Sequence, residues 1–272
     1  MTDGTRLERS VLDPYSPGQI AVLIEDVGVA KARLPALQTV TLGLLAGAFI
    51  AFGAMFYTLV MTDSGLGLGP SRLLGGVVFS LGLILVVVAG AELFTGNNLI
   101  VMAWVDGKVT SARLLRNWGL VYAANFAGAL GSVVLLYGSG TLGLGGGAVA
   151  ETAARIASAK VELGIAEAFL RGILCNALVC LAIWLSMAAH TVAGKSIAIV
   201  FPISAFVALG FEHSVANMYL IPIGWLAGAD GVTAAGFVGN LVPVTLGNIV
   251  GGGVFVALVY WVAYRQGRGD QP

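Results

Sequence analysis

The sequence predicts an all-α membrane protein of six transmembrane spans, built as an inverted repeat with broken second and fifth helices. Three observations carry this expectation. Apolar residues make up 58% of the 272 and charged residues only 10%, with a mean hydropathy of +0.92. A water-soluble domain typically carries about 25% charged residues, so too little polar surface is available to face water all round. Charge-poor stretches recur from Leu34 to Tyr264, each long enough to cross a hydrocarbon core of about 30 Å. Finally, two short motifs occur twice in the same order, one set in each half.

The segment 1–35 is polar at its start and carries no apolar run of signal-peptide type. It is expected to be cytoplasmic and to end in an interfacial helix. Ser16 suits a cap, Pro17 a first turn, and Gln19 stands where a capping box places it. Ile20, Leu23, Ile24 and Val27 then share one face, which fits a helix lying in the interface or against a neighbouring subunit.

The channel-forming region is expected over 36–264, with repeats at about 36–137 and 161–264, followed by a cytoplasmic tail, 265–272. Four spans read plainly: Leu34 to Val60, Ala112 to Tyr137, Glu162 to Ala189 and Asn240 to Tyr264. Two further apolar runs, Leu73 to Val105 and Ile197 to Leu226, are too long for one straight span of about 20 residues and too short for two. Both carry polar residues in the middle: Glu92, Thr95, Asn97 and Asn98 in one, Glu212, His213, Ser214 and Asn217 in the other. A helix interrupted at membrane depth fits, because irregular backbone survives there only when buried or lining a wet cavity. Gly138 to Gly147 reads as a flexible extracytoplasmic loop; it lacks the Lys and strand context of a phosphate loop.

An even number of spans puts both ends on one side. Arg6, Arg9, Lys31, Arg33, Lys108, Arg113, Arg116, Lys195, Arg265 and Arg268 then lie together, and the positive-inside rule makes that side cytoplasmic. The formal net charge is zero, so no basic field points to nucleic acid. Cys175 and Cys180 match no metal-site spacing and read as small buried hydrophobes. No metal site and no cofactor is predicted.

The repeat locates the site. Gly90-Ala91-Glu92 is followed by Asn97, and Gly210-Phe211-Glu212 by Asn217 at the same spacing. One helix later stand Asn117, Asn125 and Gly128, matched by Asn240, Asn248 and Gly251. Three spans per half invert the second copy, and such folds place their site near the midplane where the broken elements meet. The restarting half-helices are expected to aim N-terminal N–H groups at that centre, with Asn97 and Ser214 as caps. Glu92 and Glu212 are read as structural groups accepting backbone N–H bonds at the breaks, with Asn97 and Asn217 beside them. Glu167 and Arg171 are read as an i,i+4 pair. Glycines such as Gly43, Gly47 and Gly251 to Gly253 are read as close-packing positions.

Ala91-Glu92-Leu93-Phe94-Thr95-Gly96-Asn97 and Gly210-Phe211-Glu212-His213-Ser214-Val215-Ala216-Asn217-Met218 resemble the two signatures of the formate/nitrite transporter family. Asn176-Ala177-Leu178-Val179-Cys180-Leu181-Ala182 and Thr245-Leu246-Gly247-Asn248 also match. The resemblance runs from about Ser16 to Tyr264. It implies a homopentamer of aquaporin-like protomers in the inner membrane, passing formate, nitrite, hydrosulfide or a related small anion. By resemblance, His213 is the central pore histidine and Thr95 its hydrogen-bonding threonine, with Leu93 and Phe94 on the same loop. Leu93, Phe79, Phe206 and Val179 resemble the apolar constrictions, Asn176 and Asn248 the polar lining of the chamber, and Lys160 the outer-vestibule lysine. Glu92 and Gly96 stand where enteric formate channels tend to have Asp and Ser, and Arg171 where they are apolar.

The mechanism expected from these residues has three parts. Lys160 concentrates anions, the apolar rings strip water, and His213, oriented by Thr95, supplies positive charge or a proton near neutrality. Channel and proton-coupled symport both fit. Two other classes match the sequence less well. An intramembrane enzyme lacks a nucleophile–base pair beside His213, and a water or glycerol pore lacks its Asn-Pro-Ala signature at both breaks.

Overall fold

The computed structural model describes residues 14–266; Arg6, Arg9 and Arg268 lie outside them. Ten helical stretches follow one another, and no strand occurs among the described residues. They are α1 (Pro17–Ala32), α2 (Ala36–Met61), α3 (Leu68–Gly90), α4 (Gly96–Val105) and α5 (Ser111–Gly138). The second half has α6 (Ala148–Val161), α7 (Ile165–Ala188), α8 (Val192–Ala208), α9 (Ser214–Leu226) and α10 (Ala234–Tyr264). The helices α2, α3, α5, α7 and α10 are each long and apolar enough to cross a bilayer. The sixth expected crossing falls on two shorter helices, α8 and α9. Between 33% and 50% of each long span is buried within the protomer, so apolar faces are left for lipid or neighbouring subunits.

Both breaks are made the same way. The chain leaves α3 through Gly90 at φ +90° and α8 through Gly210 at φ +73°, a left-handed conformation that glycine adopts without steric cost. Ala91 N–H then bonds Val86 O, and Phe211 N–H bonds Phe206 O, both at 3.0 Å. This is the helix-ending pattern in which the residue after a left-handed glycine reaches back to satisfy an orphan carbonyl. The next N–H docks sideways on a neighbouring helix: Glu92 onto Leu42 O and Glu212 onto Arg171 O.

Small residues let those neighbours come close. A β-carbon on Gly47 would stand 2.1 Å from Asn125 O, and one on Gly128 at the same distance from Leu44 O, so α2 and α5 touch backbone to backbone. Gly247 against Phe169 O and Gly251 against Ile173 O do the same for α7 and α10. Such approaches bring the asparagines of α5 and α10 within reach of the breaks.

Two expectations are corrected. The Gly-rich stretch after α5 contains short 3₁₀ turns over Thr141–Gly147, with Gly140, Gly145, Gly146 and Gly147 left-handed. Helix α6 follows it and was not foreseen. It occupies in the second half the place that α1 holds in the first, because α1 packs on α4 and α6 on α9. The repeat therefore begins before residues 36 and 161. At the start of α1 the expected capping box is present, with Gln19 Oε1 accepting from Ser16 N–H at 2.9 Å.

Candidate functional site

Each break is held by one asparagine from the following long helix. Asn125 Oδ1 accepts from Phe94 N–H at 2.9 Å, while its Nδ2 donates to Gly43 O and Glu92 O, both at 2.8 Å. Asn248 Oδ1 accepts from Ser214 N–H at 2.9 Å, and its Nδ2 donates to Gly172 O at 2.8 Å and Glu212 O at 3.0 Å. Both side chains are fully buried, so each amide satisfies two main-chain groups of the break that would otherwise be orphaned in an apolar surrounding and adds a second bond to a carbonyl inside α2 or α7. Asn176 adds a cross-tie: its Nδ2 donates to Thr95 O at 3.2 Å and Asn248 O at 2.7 Å. The amides of Asn176 and Asn248 thus act on backbone.

A second strut is charged. Lys31 Nζ donates to Glu92 Oε1 at 2.6 Å and to Asn97 Oδ1 at 3.1 Å. Asn97 Nδ2 donates to Glu92 Oε2 and Asn117 Oδ1, and Asn117 Nδ2 returns to Lys31 O at 3.2 Å. In the other half Lys160 Nζ donates to both oxygens of Glu212, at 2.8 and 3.0 Å. Asn217 Nδ2 donates to Glu212 Oε2 and Asn240 Oδ1, and Asn240 Nδ2 returns to Lys160 O at 2.8 Å. The two carboxylates accept from side chains here, where backbone N–H donors were expected. Each carboxylate is thereby met by an ammonium group and an amide, so neither is buried without partners.

The caps differ from expectation too. Asn97 lies inside the first turn of α4, with its side chain in the strut. The cap of α9 is His213, whose Nδ1 accepts from Ala216 N–H at 3.1 Å, and Ser214 is the first helical residue. The N–H groups of Phe94, Ser214 and Ala216 are thereby taken up by Asn125, Asn248 and His213. What reaches the centre from these helix starts is their dipole field and the side-chain donors.

The two breaks meet through Thr95 Oγ1 and His213 Nε2, 3.0 Å apart and both buried. The cap fixes the tautomer. Nδ1 accepts a hydrogen bond, so the neutral ring carries its proton on Nε2 and donates it to Thr95 Oγ1. Protonating Nδ1 would break the cap and set a cation against the positive end of α9.

Two cavities flank this pair. One, of about 330 Å³, is lined by Phe79, Phe206 and His213 together with Arg72, Arg155, Lys160, Arg171 and Glu212. Four cations face one carboxylate there, so it is the basic cavity. Phe79 and Phe206 meet edge to face at 5.6 Å, and Phe206 stacks on His213 at 6.0 Å. The other cavity, of about 420 Å³, is lined by Leu93, Asn97 and apolar side chains, with Lys31 and Glu92 as its charges. Val179 is buried in the same apolar core as Phe79, Phe206 and Leu93. Phe94 packs its ring edge-on against Trp118 and Tyr122 of α5.

Lys31, Arg72 and Arg155 escaped the sequence reading as site residues. Lys31 stands 61 positions before Glu92, whereas Lys160 stands 52 before Glu212, so equal spacing could not pair them. Glu167 and Arg171 do form an i,i+4 ion pair, at 2.5 Å.

An inverted repeat whose two interrupted helices touch through a hydroxyl and an imidazole, with a cavity beside each break, belongs to the class of membrane channels and transporters for small solutes. Within that class the chain belongs to the formate/nitrite transporter family, whose model matches residues 18–262. The formate channel FocA of Escherichia coli strain K12 is 41% identical over 271 residues, covering 93% of this chain and 95% of its own. A pentameric formate channel with formate bound superposes with a TM-score of 0.79 at 38% identity, over 84% of this chain and 97% of that one. An FNT family ion channel gives 0.83 at 30% identity, over 90% and 98%.

Proposed function

We propose that this chain is the protomer of a homopentameric inner-membrane channel for small monovalent anions, formate first among them, with each protomer holding its own pore. Both termini lie on the cytoplasmic side in this reading, which puts the basic cavity outside and the Lys31–Glu92 cavity inside. The observation that carries it is the Thr95–His213 bond, a polar contact between two interrupted helices whose imidazole lines a cavity with a cationic excess. The formate channel named FocA and the pentameric formate channel with formate bound support the choice of anion and assembly.

The physical problem is desolvation. A bare anion entering a low-dielectric passage loses many kcal/mol of hydration unless polar groups replace the water. The cations of the basic cavity raise the local anion concentration. Phe79 and Phe206 then limit entry to a small ion with little water left. Beyond them the Thr95 hydroxyl, which accepts from His213 Nε2–H, turns its own proton to the ion in place of that water, and the positive ends of α4 and α9 point inward. Leu93 provides the apolar barrier toward the other cavity. His213 works as a neutral hydrogen-bond donor in this scheme, because its charged form costs the cap of α9.

The test is formate uptake into proteoliposomes by wild type and by His213→Asn. Asn is a good N-cap, so the variant keeps α9 while shortening the donor. Flux should fall about tenfold, the equivalent of one hydrogen bond of about 1.4 kcal/mol. Unchanged flux and ion preference would remove His213 from permeation. Swelling without anion uptake would move the protein to the neutral-solute class.

A further inference from the structure

We propose that Arg72, Arg155 and Arg171 form a second anion subsite in the basic cavity, which binds a small carboxylate before it reaches Thr95 and His213. The proposal rests on the reading of the chain as an anion channel and adds where the anion first docks.

The charge of Lys160 does not serve this purpose, because both of its hydrogen bonds go to Glu212. The pair is close to neutral seen from the cavity. The field of the mouth is therefore left chiefly to Arg72 and Arg155, with Arg171 sharing its charge with half-exposed Glu167; the three come from different helices, Arg72 from α3, Arg155 from α6 and Arg171 from α7.

Their geometry is convergent. Arg72 Nη1 donates to Ala208 O at 3.3 Å, and Arg171 Nη1 donates to Gly210 O at 3.1 Å. A β-carbon built on Gly210 would stand 3.0 Å from the first nitrogen and 3.6 Å from the second, so the two guanidinium groups share one spot at the end of α8. Like charges brought together this way repel. The carbonyls at a helix C-terminus carry partial negative charge and offset part of that repulsion. Glu167 takes one further nitrogen of Arg171. Arg155 donates to Thr152 Oγ1 at 3.3 Å, and neither it nor Arg72 forms an ion pair among the described residues.

Each guanidinium has five N–H donors in a planar fork, and these bonds use one or two of them. The free edges line a cavity of about 330 Å³, roomy enough for a formate-sized or acetate-sized ion. A planar fork matches a carboxylate through two parallel bonds, which a lysine ammonium does not. The expected ligand is therefore a small monocarboxylate in preference to a spherical halide.

The experiment measures initial formate influx against concentration, at low and high ionic strength, in proteoliposomes of the full chain. Wild type is compared with Arg155→Gln, Arg155→Gln/Arg171→Gln, and Arg113→Gln on the opposite side as a control. The double variant should raise the half-saturating formate concentration about fivefold, with little change in maximal rate and a flatter salt dependence. Arg155→Gln alone, which disturbs no bond to the main chain, should raise it about twofold, and it decides the matter if the double variant fails to assemble. Acetate should compete with formate influx more strongly than chloride in wild type, and this preference should shrink in the variants. Half-saturation and salt slope equal to wild type in the assembled variants would overturn the subsite. A wild-type protein that passes no formate would instead overturn the channel reading.

Discussion

The two halves share one polar skeleton and differ in what surrounds it. In both, an asparagine of the long final helix holds the break, and a Lys–Glu–Asn–Asn ring ties it to the preceding short helix. The same repeat position then holds Leu93 in one half and His213 in the other, two residues before Thr95 and Val215. The cavity on the Lys31 side carries one cation and one carboxylate, whereas the Lys160 side adds three arginines. The skeleton is under the same constraint twice, because every orphaned main-chain group at membrane depth must find a partner. The residues that meet the solute are under no such constraint, and there the halves part.

If the skeleton is equivalent, removing its asparagines should be equally damaging in both halves. Asn125→Leu leaves Phe94 N–H and Glu92 O without partners; Asn248→Leu does the same to Ser214 N–H and Glu212 O. Each orphan costs about 1–3 kcal/mol, so neither variant should yield assembled protein. Size-exclusion chromatography and thermal unfolding in detergent would check this, and tolerance of one substitution alone would break the equivalence.

The lysines should separate the halves. Lys31→Met leaves Glu92 buried with no other cation in its cavity, a loss of about 3–5 kcal/mol. Lys160→Met leaves Glu212 among three arginines that can relax toward it, so its loss should be smaller by about 1–2 kcal/mol in the same melting measurement. Glu92→Gln should recover much of the first loss. Equal losses for the two lysines would mean that the arginines exert no field on Glu212.

How much of this the sequence disclosed depended on whether a constraint fell within one helix. Asn117, Asn125 and Gly128 match Asn240, Asn248 and Gly251 because all three lie on a single rigid element in each half. Glu92–Asn97 and Glu212–Asn217 match because each spans one break and one turn. The Lys31–Lys160 equivalence was hidden by connections of unequal length. Helix α6 was hidden by its composition: after the run of glycines its buried residues are the small Val149, Thr152, Ala153 and Ala157, of which the apolar three form a weak stripe at i,i+4 spacing. The cap of α9 falls on His213, one residue before the expected Ser214, because an imidazole nitrogen can accept a backbone N–H bond as a hydroxyl does. Orientation of side chains was not legible: Phe94 and the amides of Asn176 and Asn248 turn to helices and main chain in ways that spacing alone does not fix.

The short helices α1 and α6 extend the comparison to the rim. Helix α6 is tied there by Ser158 Oγ donating to Asp230 O at 3.0 Å. Helix α1 is tied by charge: buried Glu25 pairs with Lys108 of the α4–α5 loop and with Arg265 at the end of α10, the latter at 2.6 Å. Asp106 of that loop pairs with Lys108 at 3.0 Å and accepts from Trp261 Nε1 at 2.9 Å. Docking of α1 should therefore depend on pH where docking of α6 does not.

The smallest expected effect follows from Asp106. Partial burial alone would raise its pKa, but hydrogen bonds with Glu25, Trp261 and Lys108, and the charge of Lys108, outweigh that and bring it from 3.8 to about 2. A carboxyl whose folded pKa is depressed stabilises the fold above its unfolded value and loses that contribution as pH falls through its folded value. Glu25 has the opposite sign: burial raises its pKa, and the bond to Asp106 adds to the rise. The folded state thus takes up the Glu25 proton first on acidification, which does not destabilise it, and the acid loss at this rim belongs to Asp106. Its side chain is 23% exposed, so solvent screening reduces the contribution to about 1 kcal/mol. Asp106→Asn should lower the melting temperature by a degree or two at about pH 5 and by nothing measurable near pH 2. Ser158→Ala on α6 should show the same small loss at both pH values. If the two variants had parallel pH profiles, the ionic tie of α1 would be decorative, and the two short helices would be held by packing alone.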